Sequence, residues 1–254
     1  MNQPLSRARR TLLGAVGLAG ILLLWVVLPM AGAPSRLLPS LPTMVDAARG
    51  VIGDGALAGD LGATVARWLG GFLGGALGGI VLGLVLSASR TLRALTGPVI
   101  DFFRSLPATA SFPLFLLAFG IGDASKVAMS AFVTFLPVMV ATIAGVTEIS
   151  RIRARSLACF GAGPRFLVTR VYPWQAAALI SSALRTTISF SLMVTIVAEM
   201  FIGSGSGIGQ RLFESFQLDR AGQLYFYLLV SGSLGLAGNT VFTLIDRKVR
   251  VQWA

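Results

Sequence analysis

The stretch LGATVARWLGGFLGGALGGIVLGLVLSA, residues 61–88, decides the class of this fold. It holds one charged side chain, Arg67, and it is longer than the roughly 20 apolar residues that a helix needs to cross a bilayer. Glycines recur four residues apart on two neighbouring stripes: Gly70, Gly74 and Gly78, and Gly71, Gly75, Gly79 and Gly83. Small residues at this spacing let helix backbones approach closely, so we expect this span to pack inside a bundle or against a symmetry-related copy.

The composition predicts several such spans. Hydrophobic residues make up 55% of the 254 residues and charged residues 12%, about half the charged fraction of a soluble domain. Apolar runs of spanning length cover residues 11–31, 61–88, 92–119, 125–146, 174–202 and 222–245. We therefore predict an all-α membrane protein with six transmembrane helices in one domain, residues 1–254, and we interpret the first run as a retained span rather than a signal peptide.

The net charge of +11 indicates an orientation in the membrane rather than a nucleic-acid partner. The arginines lie between apolar runs and form no cluster on a soluble face. Most basic residues fall in residues 7–10, 90–93, 151–170 and 247–250, which alternate with segments whose positive charges are diluted by Asp and Glu. Basic residues concentrate on the cytoplasmic side of membrane proteins, so both termini are predicted to be cytoplasmic.

The residue types exclude several kinds of chemistry. The chain has no histidine and one cysteine, Cys159, so a zinc site or a Ser-His or Cys-His catalytic group is not expected, and a membrane-embedded enzyme lacks a plausible catalytic set. The two lysines, Lys126 and Lys248, do not follow a phosphate-binding P-loop motif. We predict that the chain holds no cofactor and does not bind ATP itself.

Two loops carry weaker signals. In residues 38–60, Pro42 and Thr43 can start a short amphipathic helix, which we expect to lie on the membrane surface. The glycine-rich residues 203–209 resemble a phosphate cradle, but no lysine follows them and they fall on the side away from the cytoplasm. We do not expect a phosphate site there.

Ionisable residues inside predicted spans are the first candidates for function, since each costs about 2.5–3.5 kcal/mol to insert. Asp101 and Arg104 lie on one helical face, where they can neutralise each other, just before Pro107 and Pro113 interrupt the span. The candidate residues of a translocation path are Asp101, Arg104, Ser105, Pro107, Thr109, Arg185 and Glu199.

Two interpretations of these residues remain open. Arg104 and Arg185 can give a path the positive character that suits an anion. Alternatively the charges form structural ion pairs, and Glu199 fixes the glycine-rich loop that follows it.

The segment 148–172 is too polar for lipid and holds five arginines. Apolar residues stand among them, at Ile152, Leu157, Cys159 and Phe160. An orientation signal alone does not need these apolar side chains, so we expect the segment to bind another protein.

Four segments in order resemble the permease subunit of ABC importers, in the branch that includes nitrate, sulfonate and taurine transporters: LPSLP (38–42), RSLPATASFPLFLLAFGIGDASK (104–126), residues 148–172, and VAEMFIGSGSGIG (197–209). The resemblance covers nearly the whole chain and implies the type I importer permease fold. It also implies that segment 148–172 is the coupling loop that docks on an ATPase. The coupling residues would be Arg151, Ile152, Arg155, Ser156, Leu157, Ala158, Phe160, Gly161 and Pro164. Arg155, Ser156 and Leu157 stand where the family has Glu-Ala-Ala, which is a departure from its pattern.

The resemblance further implies the partners. These are two ATPase subunits, which bind ATP and Mg, a second permease copy in a homodimer, and an extracytoplasmic substrate-binding protein, all at a bacterial inner membrane. The expected substrate is a small anion similar to nitrate, a sulfonate or taurine. The alternatives are a heterocyclic solute such as a pyrimidine precursor or riboflavin, and a gradient-driven secondary transporter or channel.

Overall fold

A computed structural model of the chain describes residues 7–30, 38–147, 156–157, 159–161, 163, 166, 172–203 and 205–251. Within these ranges the longer helices are α1 (Arg7–Met30), α2 (Leu41–Gly53), α3 (Ala56–Ser87), α4 (Arg90–Ser105), α5 (Phe112–Phe119), α6 (Asp123–Thr147), α7 (Tyr172–Ile202), α8 (Ile208–Gln217) and α9 (Ala221–Val251). A short 3₁₀ helix, Ala108–Ser111, precedes α5. The described residues contain no strand, and the all-α class is confirmed.

The long helices match the predicted spans. Among the described residues, four helical segments have the length and apolar composition of a membrane span: Ala56–Ser87, Asp123–Thr147, Ala176–Ile202 and Ala221–Asp246. They correspond to the second, fourth, fifth and sixth predicted runs. Helix α1 covers the first run with 24 residues, about 36 Å at 1.5 Å per residue.

The third predicted run is bent rather than straight. Helix α4 and the segment Ala108–Phe119 meet at 91°. Pro107 lacks an N–H and disfavours the helical conformation of the residue before it, and Leu106 is accordingly extended, with φ −75° and ψ 127°. The interruption expected from the prolines is confirmed. Helix α5, with eight residues, is too short to cross a bilayer alone.

One glycine stripe of α3 packs against α6, as expected. A Cβ atom added at Gly75 would lie 2.3 Å from the carbonyl oxygen of Ala131, and one added at Gly71 would lie 2.4 Å from the Cβ of Ser130. The neighbouring Gly74 has nothing within 4 Å. The close approach of two backbones therefore explains the stripe from Gly71 to Gly83, while Gly74 lies on an open face.

Helix α7 completes the core of this bundle. Ala176 packs on Gly145 of α6, where an added Cβ would lie 2.6 Å from the Ala176 Cα. Trp68 of α3 is buried against Ile188 and Leu192 of α7. Its indole N–H donates to the Ile188 carbonyl oxygen at 3.0 Å, so the ring buries its apolar surface without leaving its polar group unpaired.

The chain divides into two compact units, Met1–Leu57 with Leu212–Leu229, and Ala58–Arg211 with Val230–Ala254. In the first unit the predicted amphipathic helix is present as α2, and the Ser40 hydroxyl caps it by accepting the Thr43 N–H at 3.4 Å. Also in this unit, the Trp25 ring packs edge-on against Tyr225 at 5.0 Å. The candidate sites described below lie in the second unit.

Candidate functional site

A fully buried ion pair joins α3 to α7. Arg67 Nη1 donates to Glu199 Oε1 at 2.7 Å, and the Glu199 side chain is 0% exposed. The Thr64 hydroxyl lies 2.9 Å from the other carboxylate oxygen. A carboxylate in an apolar interior is stable only when its charge is paired and its oxygens are hydrogen-bonded, and both conditions are met here.

Glu199 also holds the glycine-rich loop. The Gly209 N–H donates to Glu199 Oε2 at 2.9 Å, and Arg67 Nη1 donates to the Ser206 carbonyl oxygen at 2.9 Å. Gly207 has φ +130°, and a Cβ added there would lie 2.6 Å from the Glu199 Cδ. Only glycine fits at this position, because any side chain would meet the carboxylate and the backbone conformation is one that other residues rarely adopt.

Further ion pairs and hydrogen bonds of charged side chains surround the Arg67–Glu199 pair. Asp60 Oδ1 accepts the Gly207 N–H at 2.8 Å, and Asp60 Oδ2 accepts Arg211 Nε at 2.8 Å. Asp123 Oδ1 accepts Arg67 Nε at 2.8 Å, and Lys126 Nζ donates to the Gly203 carbonyl oxygen at 3.0 Å. We call the six charged residues of this set the charge network: Asp60, Arg67, Asp123, Lys126, Glu199 and Arg211. Its three cations and three anions balance.

The charge network, together with Thr64, occupies backbone N–H groups of the glycine-rich loop, residues 203–209. The backbone N–H groups of Gly207, Ile208 and Gly209 donate to Asp60, Thr64 and Glu199. A phosphate cradle needs such N–H groups free to point at the ligand, and these three are occupied by the protein. The arrangement fastens α3, α6, α7 and the start of α8 together at one end of the unit.

A second feature lies toward the opposite end of α6 and α7. Arg104, near the C-terminus of α4, lines a cleft of 420 Å³. The other lining residues come from α6 and α7: Pro137, Val140, Ala141, Ala144, Leu179, Ser182, Ala183 and Thr186. We call this the Arg104 cleft. Among the described residues that line it, Arg104 alone is charged.

A smaller cleft of 160 Å³ adjoins Arg104 along α4. It includes Arg93 and Asp101, and Val140 and Arg104 line both clefts. Arg104 Nη1 lies 3.7 Å from Asp101 Oδ1, and both side chains are more than half exposed. The predicted ion pair therefore forms, but it is solvated, so it neutralises Arg104 only in part.

The other candidate path residues do not all converge on Arg104. The Ser105 hydroxyl donates to the Asp101 carbonyl oxygen at 2.9 Å, and Pro107 and Thr109 lie in the exposed bend after α4. Arg185 is exposed and donates to the Thr243 hydroxyl of α9 at 2.8 Å. Glu199 belongs to the charge network. The structure thus groups Asp101, Arg104 and Ser105 and separates Arg185 and Glu199 from them.

The described part of the predicted coupling loop is short. Arg151, Ile152, Arg155, Ala158 and Pro164 lie outside the described residues. The Phe160 N–H donates to the carbonyl oxygens of Ser156, at 3.3 Å, and Leu157, at 3.2 Å, and Gly161 follows with φ +81°. A left-handed glycine commonly ends a helix. Phe160 is 89% exposed at this helix end.

Comparison with known families identifies the class of protein. The sequence profile of the family described as "Binding-protein-dependent transport system inner membrane component" matches residues 75–251, well over half of the chain. The chain belongs to this family. It is the membrane permease subunit of an ABC importer, a subunit type that is generally not itself catalytic and that works with an ATPase and a substrate-binding protein.

Individual relatives agree with the family match. An ABC transporter permease of Brucella melitensis biotype 1 is 29% identical over 239 residues, 94% of each chain. The riboflavin transport system permease RibX of Chloroflexus aurantiacus is 33% identical over 200 residues, covering 77% of this permease and 74% of RibX. The taurine transport system permease TauC of Escherichia coli is 28% identical over 160 residues, covering 63% and 54%.

A solved structure supports the fold. The crystal structure of an amino acid ABC transporter with histidines contains a chain that superposes with a TM-score of 0.64 at 17% identity, covering 78% of this permease and 96% of that chain. At this identity the likeness concerns the fold alone. It agrees with the type I permease fold expected from the sequence motifs.

Sequence reasoning missed the charge network as a unit. It named Glu199 as a candidate, but it did not pair Glu199 with Arg67 and did not predict a site role for Asp60, Lys126 or Arg211. The sequence did indicate that Arg67 has a buried partner, because a lone arginine in an apolar span needs one. Nothing in the sequence indicated which carboxylate, 132 positions away, would supply it.

Proposed function

We propose that this permease forms the translocation path for a small anionic solute of the nitrate, sulfonate or taurine type. Two copies would enclose the path as a homodimer, and two ATPase subunits would supply energy by binding ATP and Mg. A substrate-binding protein would deliver the solute from outside a bacterial inner membrane. Both termini and segment 148–172 would face the cytoplasm, as the distribution of basic residues favours.

The main observation in support of an anionic substrate is that Arg104 lines a cleft. The guanidinium remains 53% exposed despite the nearby Asp101, so it can still donate to a solute. A guanidinium binds carboxylates, sulfonates and nitrate through paired N–H donors. The taurine permease TauC among the relatives gives independent support for such a substrate.

Docking of the ATPase on segment 148–172 is supported by Phe160. The Phe160 ring is 89% exposed, so it gains little from burial within this chain. Burial in a groove of a partner subunit would remove this surface from water. The coupling residues Ser156, Leu157, Phe160 and Gly161 lie at one helix end and could dock together.

A heterocyclic solute is the second candidate. The riboflavin permease RibX is 33% identical to this chain. Aromatic side chains surround the bend between α4 and α5, and Phe112 stacks on Phe201 at 5.6 Å. A gradient-driven transporter has less support, because Glu199 is occupied by Arg67 and Asp101 is solvated and paired.

Co-purification tests the proposed function. Tagged permease is purified from detergent-solubilised native membranes, and ATPase activity is assayed in the eluate. We expect an ATPase with wild type and its loss with Leu157→Glu/Phe160→Glu. The matched control is Phe216→Glu/Leu218→Glu, which changes two other exposed apolar residues in the same way and should retain the ATPase.

Two results would contradict the proposal. If no ATPase accompanies the wild type while membrane vesicles still take up solute, ATP-driven transport is wrong. If both double variants lose the ATPase equally, segment 148–172 is not the docking site. Uptake of labelled taurine and riboflavin by cells that express the permease together with its ATPase and substrate-binding protein then decides between the two substrate classes.

A further inference from the structure

The two ends of segment 148–172 leave the bundle at a close contact between α6 and α7. A Cβ atom added at Gly145 would lie 2.6 Å from the Ala176 Cα, 2.9 Å from its Cβ and 3.3 Å from its carbonyl oxygen. Gly145 lies two residues before the end of α6 at Thr147, and Ala176 lies four residues after the start of α7 at Tyr172. Both helix ends are therefore within about 6 Å of this contact along their axes. We call this contact the Gly145–Ala176 joint.

The joint explains the position of a glycine. Helix α6 has one glycine, Gly145, and α7 has none. Glycine weakens a helix interior relative to alanine, so its presence there needs a structural reason. The reason is the backbone of α7, because Gly145 is buried and Ala176 is 0% exposed. Small residues at both positions bring the two backbones into direct contact, and such close-packed interiors transmit a displacement from one helix to the other.

The Arg104 cleft begins beside the joint. Its wall includes Ala144, the neighbour of Gly145 in α6. It also includes Leu179, which lies three residues, almost one helical turn, after Ala176 in α7. The joint therefore lies between segment 148–172 and the part of α6 and α7 that lines the cleft.

The far ends of α6 and α7 are fixed by the charge network. Arg67 of α3 bonds Asp123 at the start of α6 at 2.8 Å, and it bonds Glu199 near the end of α7 at 2.7 Å. A displacement applied at segment 148–172 must then be taken up between the joint and the charge network, which is where the cleft lies.

Helix α4, which carries Arg104 to the same cleft, is attached differently. No residue of α4, from Arg90 to Ser105, is buried, and the chain bends by 91° after it. Close packing therefore does not join α4 to α6 and α7 as the joint joins α6 to α7. A common movement of α6 and α7 would change their position relative to Arg104 and so the shape of the cleft.

We propose that the Gly145–Ala176 joint transmits the movement of segment 148–172 to the Arg104 cleft. The ATPase moves the segment, the joint displaces α6 and α7 together, and the cleft changes shape. Gly145 is then a positioning residue for the coupling of ATP hydrolysis to transport. This inference rests on the proposed function, because it takes the ATPase to dock on segment 148–172.

The variant Gly145→Ala tests the joint. Its methyl group, 2.6 Å from the Ala176 Cα, needs the roughly 3.5–4.0 Å of an ordinary carbon–carbon contact, so α6 and α7 must separate by about 1 Å. The matched control is Gly75→Ala, which causes a similar clash between α3 and α6, at 2.3 Å from the Ala131 carbonyl oxygen. Gly74→Ala, with nothing within 4 Å, controls for the loss of a glycine as such.

Alkylation of a cysteine in the cleft wall provides the measurement. Leu179→Cys is added to each permease, because Leu179 lines the cleft and is 37% exposed. Permease and ATPase are co-purified and reconstituted in liposomes, and the rate of alkylation by a water-soluble maleimide is measured without nucleotide and with MgATP plus vanadate. Peptide mass spectrometry separates the new cysteine from the native Cys159, which is exposed. ATP hydrolysis and Tm are measured on the same samples.

We expect nucleotide to change the alkylation rate severalfold in the permease that retains Gly145. Gly145→Ala should lose most of this change while ATP hydrolysis continues, because the segment still binds the ATPase but no longer displaces the cleft wall. Gly75→Ala should lower Tm about as much as Gly145→Ala and yet keep the nucleotide response, and Gly74→Ala should keep both. A purely structural role of Gly145 would lower Tm without separating ATP hydrolysis from the alkylation response.

Four results would overturn the inference. Nucleotide leaves the alkylation rate unchanged although Gly145 is present, or Gly145→Ala keeps the full response. Gly145→Ala and Gly75→Ala lose the response equally, or Gly145→Ala no longer co-purifies with the ATPase, in which case the joint serves docking rather than transmission. In all four cases the proposed function stands as long as the wild type holds its ATPase. If the wild-type permease co-purifies with no ATPase, the proposed function is wrong and this inference fails with it.

Discussion

Replacement of Arg67 by methionine should destabilise the permease strongly. Methionine keeps the apolar stem of the side chain and removes the charge and its donors. Glu199, 0% exposed, then keeps the Thr64 hydroxyl and the Gly209 N–H but loses the cation at 2.7 Å. Breaking a buried ion pair by removing one partner costs about 3–5 kcal/mol, since the remaining charge stays buried and uncompensated.

This cost converts into a measurable temperature shift. One kcal/mol corresponds to about 2–4 °C in Tm for chains of 150–250 residues, so we expect Arg67→Met to lower Tm by about 6–20 °C. The assay is thermal unfolding of the detergent-purified permease, followed by size-exclusion chromatography of a fluorescent fusion. Arg49→Met is the control, because its exposed pair with Asp46 is worth at most about 1 kcal/mol.

The double variant Arg67→Met/Glu199→Gln sharpens the test. Glutamine keeps an acceptor for Thr64 and Gly209 and removes the uncompensated charge, so most of the loss should be recovered. Asp123 also loses Arg67 in this variant, but it keeps Lys126 Nζ at 3.9 Å, and its side chain is 67% exposed, so water can solvate it. A double variant as unstable as Arg67→Met, or a single variant no less stable than Arg49→Met, would refute the electrostatic argument.

Two further predictions concern glycines and use the same thermal assay. Gly207→Ala should destabilise the permease by about 1–3 kcal/mol, because alanine must adopt φ +130° and its Cβ would meet Glu199, whereas Gly205→Ala, with nothing within 4 Å, should change Tm little. Gly75→Ala should destabilise the permease by about 1–3 kcal/mol, because the added methyl group forces α3 away from α6. Gly74→Ala, at the adjacent position, should be neutral or stabilising by about 0.5–1 kcal/mol. Equal Tm shifts for the two variants of either pair, Gly207 with Gly205 or Gly75 with Gly74, would contradict the explanation.

The helices could be predicted from the sequence because each signal is local. Long apolar runs identify the spans, and Pro107 identifies the break, since a missing N–H acts on its own helix whatever packs around it. The partner of the glycine stripe could not be predicted. Which residues face Gly75 depends on where α6 packs. The glycine pattern predicts only that the backbone of another helix lies close to the stripe.

In the candidate site, too, contacts between residues close in sequence could be predicted, and contacts between different helices could not. Arg104 and Asp101 were found because they are three residues apart on one helix, and the structure confirms their pairing. The interpretation of Glu199 as the residue that fixes the glycine-rich loop is also confirmed, through Gly209. Its partner Arg67 was missed, because pairing across two helices depends on rotation and depth that no local pattern contains.

The two charged regions differ in what they can still bind. In the charge network the carboxylates of Asp60 and Glu199 are bonded to arginines, a hydroxyl and backbone N–H groups, and the described residues contain no buried side-chain nitrogen or oxygen without a partner. A solute could enter there only by displacing bonds that already compensate a buried charge. An anion that binds Arg104 would displace no buried bond, because the guanidinium is half exposed beside an open cleft and its pair with Asp101 is solvated. Of these two regions, then, the charge network can hold the helices together, and the Arg104 cleft is the one that retains the capacity to bind a transported anion.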